Sequence, residues 1–246
     1  MQPRLAVQSL ASHTGRSIGL LLVASLFLSS YAFGQQSYVG RWDVYAGYTY
    51  INQPSLNLAE NGTNVQFGFR PRTWVTLGFD YNIATGRNTL EPGMLIPSLQ
   101  NQLGAQLSQL AALGVVPAGY QLAVPTNART QTFQIGPDFP FRHFESVTFF
   151  VRPNLGAMQV VATPRPADPI ASAIVAQLAP VGKKTDWTYF YGFGGGLEYN
   201  VNKHFALRFQ ADFAHDQFFN DLLNAGNTIR FSVGPAFQFG KNVAGR

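Results

Sequence analysis

The feature that most constrains this chain is an alternation of apolar and polar residues with a period of two, repeated in eight separate stretches. The alternation is clearest in residues 229–240. One series there is Ile229, Phe231, Val233, Pro235, Phe237 and Phe239, and the other is Arg230, Ser232, Gly234, Ala236, Gln238 and Gly240. Successive side chains of a strand point to opposite faces, so this pattern predicts a strand with one apolar face.

The spacing of the eight stretches predicts how the strands are connected. The predicted strands cover residues 42–52, 63–70, 73–84, 128–139, 147–157, 186–200, 204–216 and 229–240. The longer predicted links follow strands one, three, five and seven, at 53–62, 85–126, 162–184 and 217–227. Outer-membrane barrels alternate short periplasmic turns with long extracellular loops. This order and the even strand number predict that both termini lie in the periplasm.

Residues 1–34 have the composition of a secretory signal peptide. Arg4 and Arg16 make the start basic, and residues 18–28 form an apolar core. Small residues precede a predicted cut before Gln35, and a cut after Ala32 is the alternative. A membrane anchor is the competing interpretation, but the core is too short to cross about 30 Å of hydrocarbon as a helix. The expected mature domain is 35–246.

The two faces of the predicted strands differ in chemistry. One face carries large aromatic side chains, and the other carries glycines and charges. A soluble lipocalin-like barrel would bury its apolar face inside, but the aromatics here exceed what an eight-stranded interior holds. Charged residues are only 12% of the chain, against about 25% in soluble domains. The predicted fold class is therefore all-β, an eight-stranded antiparallel transmembrane β-barrel.

Charged residues on the polar face are candidates for ion pairs inside the barrel. They are Asp43, Arg70, Asp80, Asp138, Arg152, Glu198, Arg208, Asp212 and Arg230. Acids and bases are nearly balanced, and unpaired charges in a narrow interior would be costly. Two interpretations remain open: a structural ion-pair core, or a small pore gated by rearranging pairs. The glycines at 192, 194 and 196 share a face of strand six, which indicates space for inward side chains or coiling of the strand.

The two longest predicted links each contain an amphipathic helical pattern. Asp168 is the expected cap of the second helix. The candidate contact residues are Leu99, Leu103, Leu107 and Leu110 in the first helix, with Ile170, Ile174 and Leu178 in the second. The helices could pack on the barrel rim or on each other, or form a lid or an apolar contact for a ligand or partner. We expect that they pair across the extracellular mouth.

The chain resembles the small OmpA-type barrels, in particular the barrel-only outer membrane protein β-barrel domain family. The resemblance rests on the strand count, the loop order and a final aromatic strand ending Phe237-Gln238-Phe239. It implies a non-enzymatic outer-membrane protein with a structural or surface-interaction role and a largely plugged interior. A peptidoglycan-binding domain, present in full OmpA proteins, is not expected after this barrel.

Several function classes are not supported by the sequence. The chain has no cysteine, so it forms no disulfide, thiolate metal site or lipid anchor through cysteine. Its net charge of +5 is not concentrated in a Lys/Arg run, so nucleic acid is not expected as a partner. His143, His204 and His215 are scattered, so we expect no metal, no cofactor and no catalytic residue.

The remaining expectations concern partners and alternative functions. Outer-membrane lipid or lipopolysaccharide is the expected partner, with a surface protein or a small hydrophobic ligand possible at the loops of a monomer. A narrow channel for small solutes or small hydrophobic molecules is the alternative function. A lipid-modifying enzyme is the third, and His215-Asp216 is the His–Asp pair near the outer end.

Overall fold

Eight antiparallel strands form a closed barrel, as the alternation predicts. The computed structural model describes residues 36–117, 119–224 and 226–244, so the predicted signal peptide lies outside the described residues. The strands are β1 (Gly40–Gln53), β2 (Leu58–Arg72), β3 (Val75–Leu90), β4 (Val124–Phe141), β5 (Val147–Pro164), β6 (Lys184–Asn200), β7 (Phe205–His215) and β8 (Asn227–Asn242). Each strand pairs with the next, and β8 pairs with β1. The predicted fold class is confirmed.

The first link is shorter than predicted. It occupies residues 54–57, where Asn57 adopts a left-handed φ of 46°. Asn61 and Gly62, a common turn pair, lie instead inside β2. A Cβ at Gly62 would be 1.9 Å from the Ile83 carbonyl oxygen, so this position requires glycine because the neighbouring backbone is so close. The predicted bounds of this link, 53–62, are therefore wrong, and its length is within the range of the links at the other end of the barrel.

The other links follow the predicted order. Residues 91–123, 165–183 and 216–226 form the three long links at one end of the barrel. Residues 73–74, 142–146 and 201–204 form short links at the other end. The Val243 N–H donates to the Val39 carbonyl at 2.9 Å, which ties the segments flanking β1 and β8 together at the short-link end.

The distribution of polarity is inverted relative to a water-soluble barrel. Trp74, Tyr189 and Phe193 expose 61%, 86% and 68% of their surface on the outside, whereas the Arg70 side chain is buried inside. The outward apolar run of β3, residues 75–83, covers roughly 27 Å along the strand. At a tilt of about 40° it spans about 20 Å of the barrel axis, close to the apolar band of membrane barrels. The barrel is a transmembrane one.

Two helices lie in the long links. Helix α1 (Pro97–Ala112) follows β3, and α2 (Pro169–Leu178) follows β5. Both begin at a proline, whose missing N–H and fixed φ suit the first helical position. The Asp168 carboxylate accepts from the Ala171 N–H at 2.8 Å, which confirms the predicted cap. No helix in the described part of the chain is long and apolar enough to cross a membrane.

Candidate functional site

The barrel interior near the short links holds an ion-pair cluster centred on Arg208. Its Nη2 donates to Asp43 Oδ2 at 2.7 Å, and its Nε donates to Glu198 Oε1 at 2.8 Å. Arg70 Nη2 reaches the same Asp43 oxygen at 2.8 Å. All four side chains are buried, so each charge depends on these partners rather than on water.

A second cluster lies further along the bore and joins two acids to two arginines. Arg152 Nη2 lies 3.2 Å from Asp80 Oδ2 and 2.7 Å from Asp212 Oδ2. Arg230 Nη2 lies 2.9 Å from each of the same oxygens. The four members of this ring of alternating charges project inward from four different strands.

Gln66 joins the two clusters into one network. It accepts from Arg208 Nη1 at 2.8 Å and donates to Asp80 at 2.9 Å. We call this network the ionic layer, and its charged members are Asp43, Arg70, Asp80, Arg152, Glu198, Arg208, Asp212 and Arg230. Four acids balance four arginines in it, which offsets the cost of burying charge.

The glycines of β6 lie where neighbouring atoms leave no room for a side chain. A Cβ at Gly194 would lie 2.0 Å from the Asp212 carboxylate, so a side chain there would displace an ion-pair partner. Cβ atoms at Gly192 and Gly196 would lie 1.9 and 2.0 Å from carbonyl oxygens of β7. The closeness of the Asp212 carboxylate agrees with the first interpretation, space for inward side chains, and coiling of the strand stays a prediction.

Asp138 does not join the ionic layer, contrary to the expectation for this residue. It makes no salt bridge or side-chain hydrogen bond within the described residues. Near Asp138 the ladder between β4 and β5 is interrupted, because Pro137 and Pro153 lack the N–H groups that would pair. Its carboxylate lies beside Gly78 instead, at the wall of a small cavity.

The bore is closed at this level. Two interior cavities adjoin the ionic layer, each of about 10 Å³, and Asp138 and Arg208 line both. A cavity of this size holds about one water molecule. An ion or solute cannot pass without moving several paired charges.

The half of the interior near the long links is filled by apolar side chains, which we call the apolar plug. Met158, Val160 and Phe190 enter it from the strands, and Phe218 and Phe219 enter it from the link after β7. Leu103 of α1 and Ala171 of α2 are also buried there. The two loop helices therefore close the mouth by packing on one shared cluster.

The seven candidate contact residues of the helices are buried to different extents. Leu103 is buried in the plug, and Leu99, Leu107 and Ile174 are half-buried against it. Leu110 and Ile170 are half-buried elsewhere, and Leu178 is 36% exposed. Sequence reasoning missed Ala171, which is fully buried, because a small side chain adds little to a hydrophobic pattern.

The first two long links are also joined by a polar contact. The Tyr120 hydroxyl lies 3.0 Å from each Asp168 carboxylate oxygen, beside the N-terminus of α2. The pKa of Asp168 is lowered, first by the hydrogen bond from the Ala171 N–H and further by the hydrogen bond from the Tyr120 hydroxyl. The contact connects the end of the first long link to the start of the second helix.

Several buried polar groups between the ionic layer and the plug make no hydrogen bond. The side-chain polar atoms of Gln53, Glu60, Asn82 and Thr130 belong to this group. Glu60 is fully buried and leans across Gly86 toward Thr130, although no hydrogen bond of normal geometry forms. Sequence reasoning missed Gln53 and Glu60 because both were assigned to the link 53–62.

The residue pair that could support catalysis does not form a dyad. His215 Nδ1 lies 3.2 Å from Asn227 Oδ1, and its ring packs near Tyr191. Asp216 is buried, which raises its pKa, and it accepts from Thr228 Oγ1 at 2.7 Å. Over the described residues, no group of three His, Cys, Asp or Glu side chains could hold a metal ion.

Comparison with solved structures gives distant likenesses that cover most of this chain. The chain is similar to Ail of Yersinia pestis, solved with the heparin analogue sucrose octasulfate (14% identity, TM-score 0.45, 81% of this chain and 99% of that chain). It is also similar to Neisserial surface protein A (10%, 0.49, 80% and 96%) and to OprG of Pseudomonas aeruginosa (8%, 0.46, 84% and 99%). No family model matches the chain, and no curated protein matches it.

Proposed function

We propose that the chain is a non-enzymatic barrel of a bacterial outer membrane, of the small OmpA type, that acts through its outer surface. The observation that carries this proposal is the filled interior. The ionic layer fills the part of the bore near the short links, and the apolar plug fills the part near the long links. A protein whose interior is closed twice is suited to structural support or surface contact rather than to flow.

The placement in the outer membrane follows from the outer face and the connections. The exposed aromatic belt requires a hydrocarbon environment, and the closed ladder leaves no strand edge unpaired in it. In this orientation the short links and the segments flanking β1 and β8 face the periplasm, and the two helices face outward.

The outward end offers apolar contact surface. Leu113, Val115 and Val181, in the links that carry α1 and α2, expose 76%, 59% and 79% of their surface. Surface loops presented by a rigid scaffold commonly carry binding residues. The proposed partners are surface proteins or small hydrophobic ligands, in addition to the surrounding lipid.

A narrow channel is the competing function, and the unpartnered polar groups at Gln53, Glu60, Asn82 and Thr130 favour it. Such groups commonly line water. They occupy only the middle of the interior, with the ionic layer on one side and the plug on the other, so we rank this function second.

Conductance across a planar bilayer separates the two functions. Refolded residues 35–246, with a heat-dependent gel shift as proof of folding, should give no discrete current steps. A variant whose residues 97–112 are replaced by a short Gly/Ser linker should also be silent, because the ionic layer remains. Steps from the folded wild-type protein would contradict the proposal and favour the channel.

A further inference from the structure

The outer ends of β3 to β6 carry a cluster of cations on their outward face. Arg87 on β3, Arg129 on β4 and Lys183 next to β6 are exposed and line one concave surface of about 720 Å³. The rest of its lining consists mainly of threonine, asparagine and glutamine side chains, and no carboxylate contributes. We call this surface the basic wall.

The strand register fixes how the cations are spaced. Arg87 pairs with Asn127, and Asn127 pairs with Thr163, which is level with the start of β6 beside Lys183. Arg87 and Lys183 are thus three strand spacings apart, about 14 Å. Arg129 lies between them, one outward position closer to the middle of the barrel.

The basic wall lies directly above the edge of the apolar belt. An aromatic row marks that edge, with ring centroids 5.0 Å apart for Tyr81 and Phe133 and 6.2 Å apart for Phe133 and Trp187. Such rings lie at the level of lipid head groups. Arg129 is four residues beyond Phe133, roughly 10 Å along the barrel axis, and its flexible stem can reach back toward that level.

None of the three cations has a protein partner within the described residues. Lys184, by contrast, is paired with Asp221 at 2.6 Å. The nearest acid along β6, Asp186, is turned away and accepts from the Phe219 N–H. The cations are therefore free to bind an external anion.

The cations are also confined to one side of the barrel. The outward positions at the outer ends of the other four strands carry no Lys, Arg, Asp or Glu, as at Tyr50, Asn61, His215 and Asn227. Charges that serve only solubility would be distributed around the rim. A one-sided cluster indicates a specific anionic occupant.

We propose that the basic wall binds the phosphorylated head group of a lipid in the leaflet around the long-link end. The inference rests on the proposed position in the outer membrane. Guanidinium groups bind phosphate through paired hydrogen bonds, and the neighbouring hydroxyl and amide groups add donors. The occupant is a lipid because the wall continues the apolar belt: acyl chains lie on the belt while the head group lies on the wall.

Native mass spectrometry in neutral detergent measures this binding directly. The probe is an acylated disaccharide carrying two phosphates, compared with the same lipid after phosphatase treatment and with a soluble sulfated disaccharide. The test variant is Arg87→Gln/Arg129→Gln/Lys183→Gln. The matched control, Arg72→Gln/Lys203→Gln/Lys241→Gln, removes three exposed cations from the short-link end.

The wild-type protein and the control should bind the phosphorylated lipid at least tenfold more tightly than its dephosphorylated form. The test variant should lose most of that preference, and the single change Arg129→Gln should lose about threefold. The inference would be overturned if the test variant kept the same preference for the phosphorylated lipid as the wild-type protein. It would also be overturned if the wild-type protein bound the soluble sulfated sugar as tightly as the phosphorylated lipid. Failure of the wild-type protein to insert into lipid vesicles would overturn the proposed function instead.

Discussion

Removal of Arg208 tests whether the ionic layer stabilises the barrel through mutual pairing. Its guanidinium lies between the rings of Tyr45 and Phe150, at 5.3 and 5.7 Å from their centroids. Arg208→Met keeps much of that packing but removes the bonds to Asp43 and Glu198. Asp43 keeps Arg70 as a partner. Glu198 keeps no ion pair within the described chain, so its charge is left buried and alone.

The expected loss of stability follows from this difference between Asp43, which keeps a partner, and Glu198, which keeps none. Breaking a buried ion pair by removing one partner costs about 3–5 kcal/mol of unfolding free energy, largely because the other charge remains. Glu198→Gln on the Arg208→Met background removes this charge and should restore about 1–3 kcal/mol of the loss. The double variant is therefore expected to be more stable than Arg208→Met alone.

Urea unfolding in lipid vesicles, followed by tryptophan fluorescence and by the heat-dependent gel shift, gives these free energies. Arg72→Met is the matched control, because Arg72 is exposed and in no ion pair of the described structure; it should change stability by no more than about 0.5 kcal/mol. If the costs of the two single changes simply add in the double variant, the two residues are not coupled and the reasoning fails.

Two further predictions concern the backbone and the second loop helix. Gly196→Ala should sharply lower the folded yield because its Cβ would meet a β7 carbonyl at 2.0 Å, whereas Gly104→Ala, in open space within α1, should leave the yield unchanged or raise it. Folding lowers the pKa of Asp168 below its usual 3.8. The ionised Asp168 carboxylate therefore stabilises α2 above pH 3.8, and this stabilisation is lost as the pH falls through the lower pKa of the folded state. The Ala171 amide shift, followed by NMR, should titrate with a midpoint below 3.8; a midpoint at or above 3.8 would contradict this, and Asp168→Asn should abolish the titration.

The period-two alternation predicted the strands and their faces because outward and inward environments differ so strongly here. The predicted strand ends were wrong at Asn61-Gly62. This pair commonly forms turns, but here it lies inside β2, and the backbone of β3 is too close to Gly62 to leave space for a side chain. Local sequence does not carry that information. The spacing depends on strand coiling around the whole barrel.

The alternation predicted which charged residues face the interior, but not which of them pair with one another. Alternation placed Arg152 and Asp212 inside, but the pairing between them depends on which strands lie opposite, and Asp138 shows that an inward acid can lack a partner. The apolar plug was less predictable. Phe218 and Phe219 enter it from a link without periodicity, and Ala171 is too small to mark a helix face.

The most direct test of the closed bore is the reactivity of a cysteine introduced at an inward position. The chain has no cysteine, so Ser232→Cys, a near-isosteric change at a buried inward site, gives a single thiol. In vesicles this thiol should resist a small charged thiosulfonate reagent until the protein is unfolded, whereas Ser146→Cys in an exposed short link should react at once in detergent. Reaction of the folded Ser232→Cys protein as fast as that control would mean that water fills the bore, contrary to the closed interior described above.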